Sequence, residues 1–328
     1  MAQLVTIIGG SGFVGRYVAR RMAQAGWRVR VAVRRPNEAL FVRPYGAVGQ
    51  VEPVFCNIRD DASVRAVLTG ADAVVNCVGI LGRDGKNTFQ SLHDQGAARV
   101  ARIAAECGVS RLVHVSAIGA AADAPSAYAR TKAAGEAAVR QAFPAAVVLR
   151  PSLIFGPEDG IFNRFGRMAT RSLVLPLVGA ETKFQPVYVD DVARAAELEL
   201  TGAAAPGVYA LGGPDVMSFR GLIKLMLGII QRRRLVIGLP FWLGALMGGA
   251  FDTLQALTLG LLPNKMLTQD QVRGLHVDNV VAPGAKGLAD LGITPTPMGA
   301  VLPEYLWPFR PAGQFAAIRD SAKNLHRA

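Results

Sequence analysis

The chain has 328 residues, 51% of them hydrophobic and 18% charged, with 36 Lys and Arg against 24 Asp and Glu for a net charge of +12. That composition excludes a disordered chain, and the length accommodates one large or two modest domains with a substantial core. The three cysteines, Cys56, Cys77 and Cys107, lack C-x-x-C or C-x-x-H spacing, so neither a disulfide framework nor a metal site is indicated and reduced thiols are expected.

The first apolar run, Leu4–Ile8, starts so early that no signal or transit peptide is expected before it. A helical pattern follows over Phe13–Ala25 and stops at Gly26, then a β-rich run covers Val29–Val33. Strands at Val51–Cys56 and Ala73–Cys77 flank a short helix at Asp61–Leu68. A longer helix is predicted over Ser91–Glu106, a strand at Leu112–Ser116, a helix at Ala127–Gln141 and a strand at Ala146–Leu149. Strands that read as continuous apolar runs between helices predict a doubly wound α/β fold with a parallel sheet covered on both faces.

Beyond Arg150 the rhythm changes. Pro, Gly and Phe are scattered through Pro151–Gln185, as in an insertion that builds a pocket over the carboxyl edge of the sheet. Val187–Val189 and Val208–Leu211 are expected to return to the sheet as late strands. The expected division is a nucleotide-binding domain over 1–215, a smaller and mainly helical domain over 216–310, and a polar tail over 311–328.

The run after the first strand, Gly9-Gly10-Ser11-Gly12-Phe13-Val14-Gly15, opens a helix. Gly9 permits a tight turn, Gly12 lets backbone approach a pyrophosphate, and Gly15 lets the helix lie close to the strand. The helix N-terminus then presents free N–H groups and a positive dipole end to phosphate. An acid about 20 residues further on would bind the ribose hydroxyls of NAD. Here the second strand ends in Val33-Arg34-Arg35-Pro36 instead. Two guanidiniums at that place, with Arg16 as a third, favour a 2′-phosphate and therefore NADPH as cofactor.

Ser116 ends a strand, and Tyr128-Ala129-Arg130-Thr131-Lys132 follows on a helix, placing Tyr and Lys one turn apart on one face. With Asn57 through Asp60 after the third strand, Val78-Gly79 after the fourth, and Arg150-Pro151-Ser152 after the sixth, this set resembles the extended short-chain dehydrogenase/reductase superfamily with its Rossmann domain. The resemblance implies a general acid or base at Tyr128, a ribose-holding Lys132 and a carbonyl-polarising Ser116. It also implies that Asn57, Ile58, Val78, Gly79, Pro151 and Leu153 line the cofactor. A narrower resemblance rests on Ser126-Ala127-Tyr128, Lys132-Ala133-Ala134-Gly135-Glu136, Pro151 through Asp159 and Gln185 through Val192. These are similar to the nucleotide-binding accessory subunit family of respiratory complex I, in a bacterial form. That resemblance implies a tightly held NADPH of structural or regulatory role. It also implies core-subunit partners near the quinone cavity and a peripheral place on the cytoplasmic face of the inner membrane.

Positive charge falls in two places. Residues 1–50 hold eight arginines against Glu38, and Arg232-Arg233-Arg234 precede an apolar stretch. No nucleic-acid motif accompanies either cluster, so nucleic acid is not expected as a partner. Leu235–Phe251 is 17 residues without a charge and contains Pro240, too short and too broken for a membrane span. It reads either as an interfacial segment, with Arg232–Arg234 on anionic head groups and Phe241, Trp242, Leu243, Leu246 and Met247 in the acyl boundary, or as a helix covered by the chain or a neighbour. Lipid contact is expected over about 232–262. The accessory-subunit reading has two rivals, a free-standing NADPH-dependent reductase or epimerase and a redox-sensing NADPH-binding regulator.

Overall fold

The computed structural model describes residues 2–83, 85–258, 264 and 267–315. The first half alternates as the periodicity predicts: β1 (Leu4–Ile8), α1 (Phe13–Gln24), β2 (Arg28–Val33), β3 (Val51–Phe55), α2 (Asp61–Leu68), β4 (Ala73–Asn76), α3 (Gln95–Glu106), β5 (Arg111–Val115), α4 (Ala127–Ala142) and β6 (Val147–Pro151). Then come β7 (Ile154–Phe155), α5 (Phe162–Arg171), β8 (Val174–Val178), β9 (Lys183–Phe184), β10 (Val187–Tyr188), α6 (Val189–Leu200) and β11 (Gly207–Leu211). The chain ends with β12 (Met217–Ser218), α7 (Phe219–Ile229), β13 (Leu235–Leu239), α8 (Phe241–Leu257), α9 (Gln269–Gly274) and α10 (Met298–Leu306).

Seven parallel strands form the main sheet in the order β11-β6-β5-β4-β1-β2-β3. The order reverses between β1 and β4, so the crevice at their carboxyl ends is the topological switch point where such sheets bind ligands. Residues of the central strands β1, β4 and β5 are buried on both faces because helices cover both. Val5 and Ile7 join one apolar core with α1 and α6, while Ile8 and Val74 join another with α2 and α3.

Four departures from the sequence expectation have physical causes. Val187–Tyr188 pairs with Ile154–Phe155 outside the main sheet, because α6 begins at Val189 with Asp190 and Asp191 in its first turn and cuts the strand short. The predicted helix at Ser91–Glu106 starts instead as a π turn over Gln90–Asp94. The wider turn sets the His93 carbonyl where it meets Gly135, at which a Cβ would lie 2.0 Å from that oxygen. A 3₁₀ turn at Pro36–Tyr45, for which no periodicity prepared the reading, covers α1 and the edge of β2. The uncharged stretch Leu235–Phe251 divides at Pro240 into β13, paired parallel with β8, and α8.

A third core joins the insertion to the C-terminal region. Phe155, Phe162, Leu175 and Leu177 pack with Leu222, Ile223 and Met226 of α7 and Leu302 of α10. Leu288 and Ile293 return to the core beneath α1 and α6, so the two regions interleave. Among the described residues no helix is long and apolar enough to cross a membrane. Residues 259–262 of the expected lipid-contacting segment and 316–328 of the expected tail lie outside the described residues.

Candidate functional site

The glycine run is built as a cradle. Gly9 sits at φ +78°, in the left-handed region, and donates its N–H to Ala32 O at 2.9 Å. A Cβ at Gly15 would lie 2.5 Å from Gly9 O and 2.6 Å from Gly10 Cα, so only glycine lets α1 approach the turn this closely. Gly10 is similarly confined by Ile7 and Val31, whereas Gly12 is exposed. Gly12 caps α1 without a side-chain hydrogen bond, and no acid occupies the first turn. The N–H groups at Phe13 and Val14 are therefore offered outward as an anion site. Ser11 stands at the bend, its carbonyl accepting from Arg16 Nη2 at 3.1 Å.

The three expected arginines part company. Arg34 and Arg35 are both exposed at the end of β2. Arg35 pairs with Glu38 at 3.1 Å, while Arg34 has no carboxylate partner among the described residues. Arg16 turns across the loop mouth, 3.3 Å from Glu158 and with its guanidinium 4.8 Å above the Phe41 ring. Nothing local in sequence announces Glu158 or Phe41 there, because they come from the insertion and from the unpredicted 3₁₀ turn.

Val78 and Gly79 lie between this cradle and α4. Asn76 Oδ1 accepts from Val78 N at 3.1 Å, and a Cβ at Gly79 would lie 3.6 Å from Lys132 Nζ. Asn57 shapes its own turn, its Oδ1 accepting from Arg59 N at 3.2 Å. Ile58 is buried in the core that includes α3. Pro151 is buried, and Leu153 packs on the third core. Of the predicted cofactor residues, the glycine run, Val78, Gly79 and Lys132 thus line one crevice.

Lys132 is 3% exposed and donates to Val115 O at 2.9 Å. Burial lowers its ammonium to about 8, against the opposing pull of Glu136. Glu136, one turn further along α4, is itself gripped by Arg150, with Nε 2.9 Å from Oε1. Tyr128, one turn before Lys132, meets the His93 ring edge-on at 5.2 Å and Phe89 at 5.9 Å. Burial pushes its phenol up to about 12. Ile80 N donates to His93 Nε2 at 3.0 Å, so the ring proton sits on Nδ1, 3.4 Å from Thr131 Oγ1. Burial and then the nearby Lys132 charge hold His93 down to about 3, and it stays neutral.

Ser116 is 4% exposed, and its Oγ has no hydrogen-bond partner. An orphaned hydroxyl beside a crevice is the kind of group a bound ligand satisfies. Desolvation pushes the Cys77 thiol up to about 12 and Cys56 to about 11, so neither is a nucleophile. Among the described residues no cluster of His, Cys, Asp or Glu could hold a metal.

Sequence reasoning missed the contribution of the C-terminal region. Asp270 of α9 accepts from Ala127 N at 2.6 Å and Tyr128 N at 3.0 Å, capping α4 with both carboxylate oxygens. Gln271 Nε2 donates to Leu81 O at 3.2 Å and Gln255 Nε2 of α8 donates to Arg83 O at 2.9 Å. These contacts bridge α4 and the loop following Gly79. The one local signal was Thr268-x-x-Gln271, which forms a full capping box and marks where α9 starts.

The chain matches the model of the NAD dependent epimerase/dehydratase family over residues 5–212. It is similar to the mitochondrial NADH dehydrogenase (ubiquinone) 1 alpha subcomplex subunit 9 of Arabidopsis thaliana, 33% identical over 316 residues that span 94% of this chain and 79% of that one. The corresponding protein of Mus musculus is 32% identical over 300 residues, 90% of this chain and 77% of that one. Among solved structures, the UDP-glucose 4-epimerase of Thermotoga maritima is alike in fold. Its TM-score is 0.68 at 17% identity, covering 93% of this chain and 97% of that chain.

Proposed function

Because the chain belongs to the NAD dependent epimerase/dehydratase family and, within it, to the family of complex I subunit 9, we propose that it is an accessory subunit of respiratory complex I that holds NADPH as a structural or regulatory group. The observation that carries this reading is a dinucleotide crevice bridged by the chain's own C-terminal region, through Asp270, Gln271 and Gln255. A crevice braced in this way suits retention of a cofactor better than traffic of a substrate.

The residues fit a phosphorylated dinucleotide. Its pyrophosphate would take the N–H groups at the start of α1, and the free guanidinium of Arg34, with Arg35, would take the 2′-phosphate. Lys132 and Tyr128 would hold the nicotinamide ribose, and Ser116, whose Oγ has no partner, directly follows Val115, the residue whose carbonyl accepts from Lys132. When bound, NADPH supplies hydride chemistry, but on this reading its service is to brace β1, β2 and α4 against one another. In complex I the subunit would sit on the peripheral arm beside the quinone cavity, on the cytoplasmic face of a bacterial inner membrane, with lipid near α8. The test is purification from membranes in mild detergent. Comigration with complex I and stoichiometric NADPH are expected, and a protein free of nucleotide that migrates alone refutes the proposal.

The reductase reading draws on the unpartnered Ser116 Oγ, at the carboxyl end of β5, together with Tyr128 and Lys132 on α4. Its test is NADPH oxidation with quinone and ketone panels, abolished by Tyr128→Phe. Silence across the panels leaves the accessory role alone.

A further inference from the structure

Antiparallel or parallel, a small sheet on a protein surface ordinarily turns apolar side chains inward and polar ones to water. The ribbon of β8 and β13 does not. Inward, Leu175 and Leu177 are 0% and 1% exposed and pack on α7. Outward, the register sets Leu235 opposite Val174 and Ile237 opposite Pro176. Leu235 is 61% exposed, Ile237 40%, Val174 38%, and Leu173 just before the strand 74%. Both faces of the ribbon are apolar, and one of them faces out. After Pro240, α8 adds Trp242 and Leu246, exposed by 69% and 65%. An apolar surface of this kind calls for a cover.

Charge identifies the cover. Residues 160–180 contain Arg164, Arg167 and Arg171 and no acid, and residues 219–251 contain Arg220, Lys224 and Arg232–Arg234 and no acid. Not all of these are available. Arg232 Nε donates to Phe309 O at 2.6 Å and Arg234 Nε to Ala169 O at 2.7 Å, so both are engaged in the fold. Arg220 pairs with Glu181 at 2.8 Å. Arg167, Arg171 and Arg233 remain exposed, without a carboxylate partner among the described residues. Arg171 stands three residues before β8, and Arg233 two residues before β13, so free guanidiniums adjoin the same end of the outward face.

We infer that the outward face of β8 and β13, with Arg171 and Arg233 at its end, docks on the surface of an anionic lipid bilayer. Leu173, Val174, Leu235 and Ile237 enter the acyl boundary, and the guanidiniums bind phosphate head groups. The inference rests on the peripheral membrane placement proposed above and moves the contact. It assigns half of the lipid face to the insertion, and it leaves Arg233 as the lipid-facing member of its arginine run.

Flotation of the full-length, nucleotide-loaded protein tests it, with vesicles of phosphatidylcholine alone and vesicles that also contain phosphatidylglycerol. The wild type is expected to float with the anionic vesicles only, and less so as salt rises. Arg171→Gln with Arg233→Gln should weaken partitioning about 25-fold, at roughly fivefold for each basic residue near the surface. Leu235→Ser with Ile237→Ser should abolish flotation while thermal midpoint and bound nucleotide stay as in the wild type, since both side chains already face out. Wild-type protein that ignores anionic vesicles, or variants that float as it does, overturn the inference. If the variants instead lose comigration with complex I while the wild type ignores vesicles, the face is a protein interface. The lipid inference then falls and the accessory role stands. Absence of both nucleotide and comigration in the wild type refutes the accessory role by itself.

Discussion

Lys132 provides a pH test of cofactor binding. Its ammonium is 3% exposed, and burial has lowered it from 10.5 to about 8. If the charged form holds the ribose, affinity must follow the fraction that carries a proton. With a group at about 8, about nine-tenths of the chains are charged at pH 7 and about one-tenth at pH 9, so NADPH should bind roughly tenfold more weakly at pH 9. No other group in the crevice titrates there, because Tyr128 stands at about 12, Cys77 at about 12 and His93 at about 3. Nor does this lysine loosen the fold in that window. Its folded value lies below the unfolded one, so between about 8 and 10.5 the unfolded chain holds the extra proton, and stability rises with pH. The assay is titration of NADPH fluorescence on apo-protein at both pH values. Lys132→Met should lose about 10- to 100-fold at pH 7, the range for a charge-assisted hydrogen bond, and should show no further loss at pH 9. Equal wild-type affinity at both pH values, or an unchanged pH dependence in the methionine variant, refutes the role of the ammonium.

Replacing Arg34 and Arg35 by Ala should weaken NADPH about tenfold or more, as expected for lost charged hydrogen bonds, and leave NADH nearly unchanged; parallel calorimetric titrations with the two nucleotides check this, and equal losses contradict it. Glu199 is 3% exposed with Oε2 unpartnered, and burial pushes its carboxyl up to about 7 against the opposing charge of Arg111. The folded chain therefore keeps a proton that the unfolded chain releases between 4.5 and about 7, and stability falls across that window by about 3 kcal/mol. Urea denaturation at pH 5 and pH 8 should show that loss in the wild type and much less of it in Glu199→Gln, and identical pH dependence in the two proteins would count against the assignment. Asp270→Ala uncovers two N–H groups at the start of α4 and should cost about 1 kcal/mol, a thermal shift of a few degrees, with Asp270→Asn retaining much of it; calorimetric midpoints that do not move would exclude the cap.

What the sequence disclosed was local. The glycine run, the alternation that ends at β6 and the spacing of Tyr128 to Lys132 all depend on neighbours within a turn or a strand, and α2 lies at Asp61–Leu68 as expected. What stayed hidden was made by partners far apart in the chain. Arg16 reads as a free phosphate ligand until Glu158 arrives beside it. The arginines before Leu235 read as one lipid-facing cluster until Phe309 and Ala169 take two of them. Pro240 reads as a breaker, but periodicity gives no means of seeing that the half before it pairs with Val174–Val178 as a ribbon. The π turn at Gln90–Asp94 escaped for a different reason, since one extra residue in a turn leaves the apolar spacing almost intact.

The Asp270 cap also sets a timetable for synthesis. The strands from β1 to β6 have been synthesised once Pro151 is joined, and α4 already lies between two of them. Its first N–H still awaits an acceptor 143 residues downstream. At 5–20 residues per second that interval is roughly 7 to 30 s. Through it the helix that carries Tyr128 and Lys132 has only the Ser126 hydroxyl, bonded to Ala129 N, to hold its opening turn. The nascent chain thus presents its phosphate cradle before it can close the far end of the crevice, and a nucleotide that arrives during translation enters a site whose door has yet to be made.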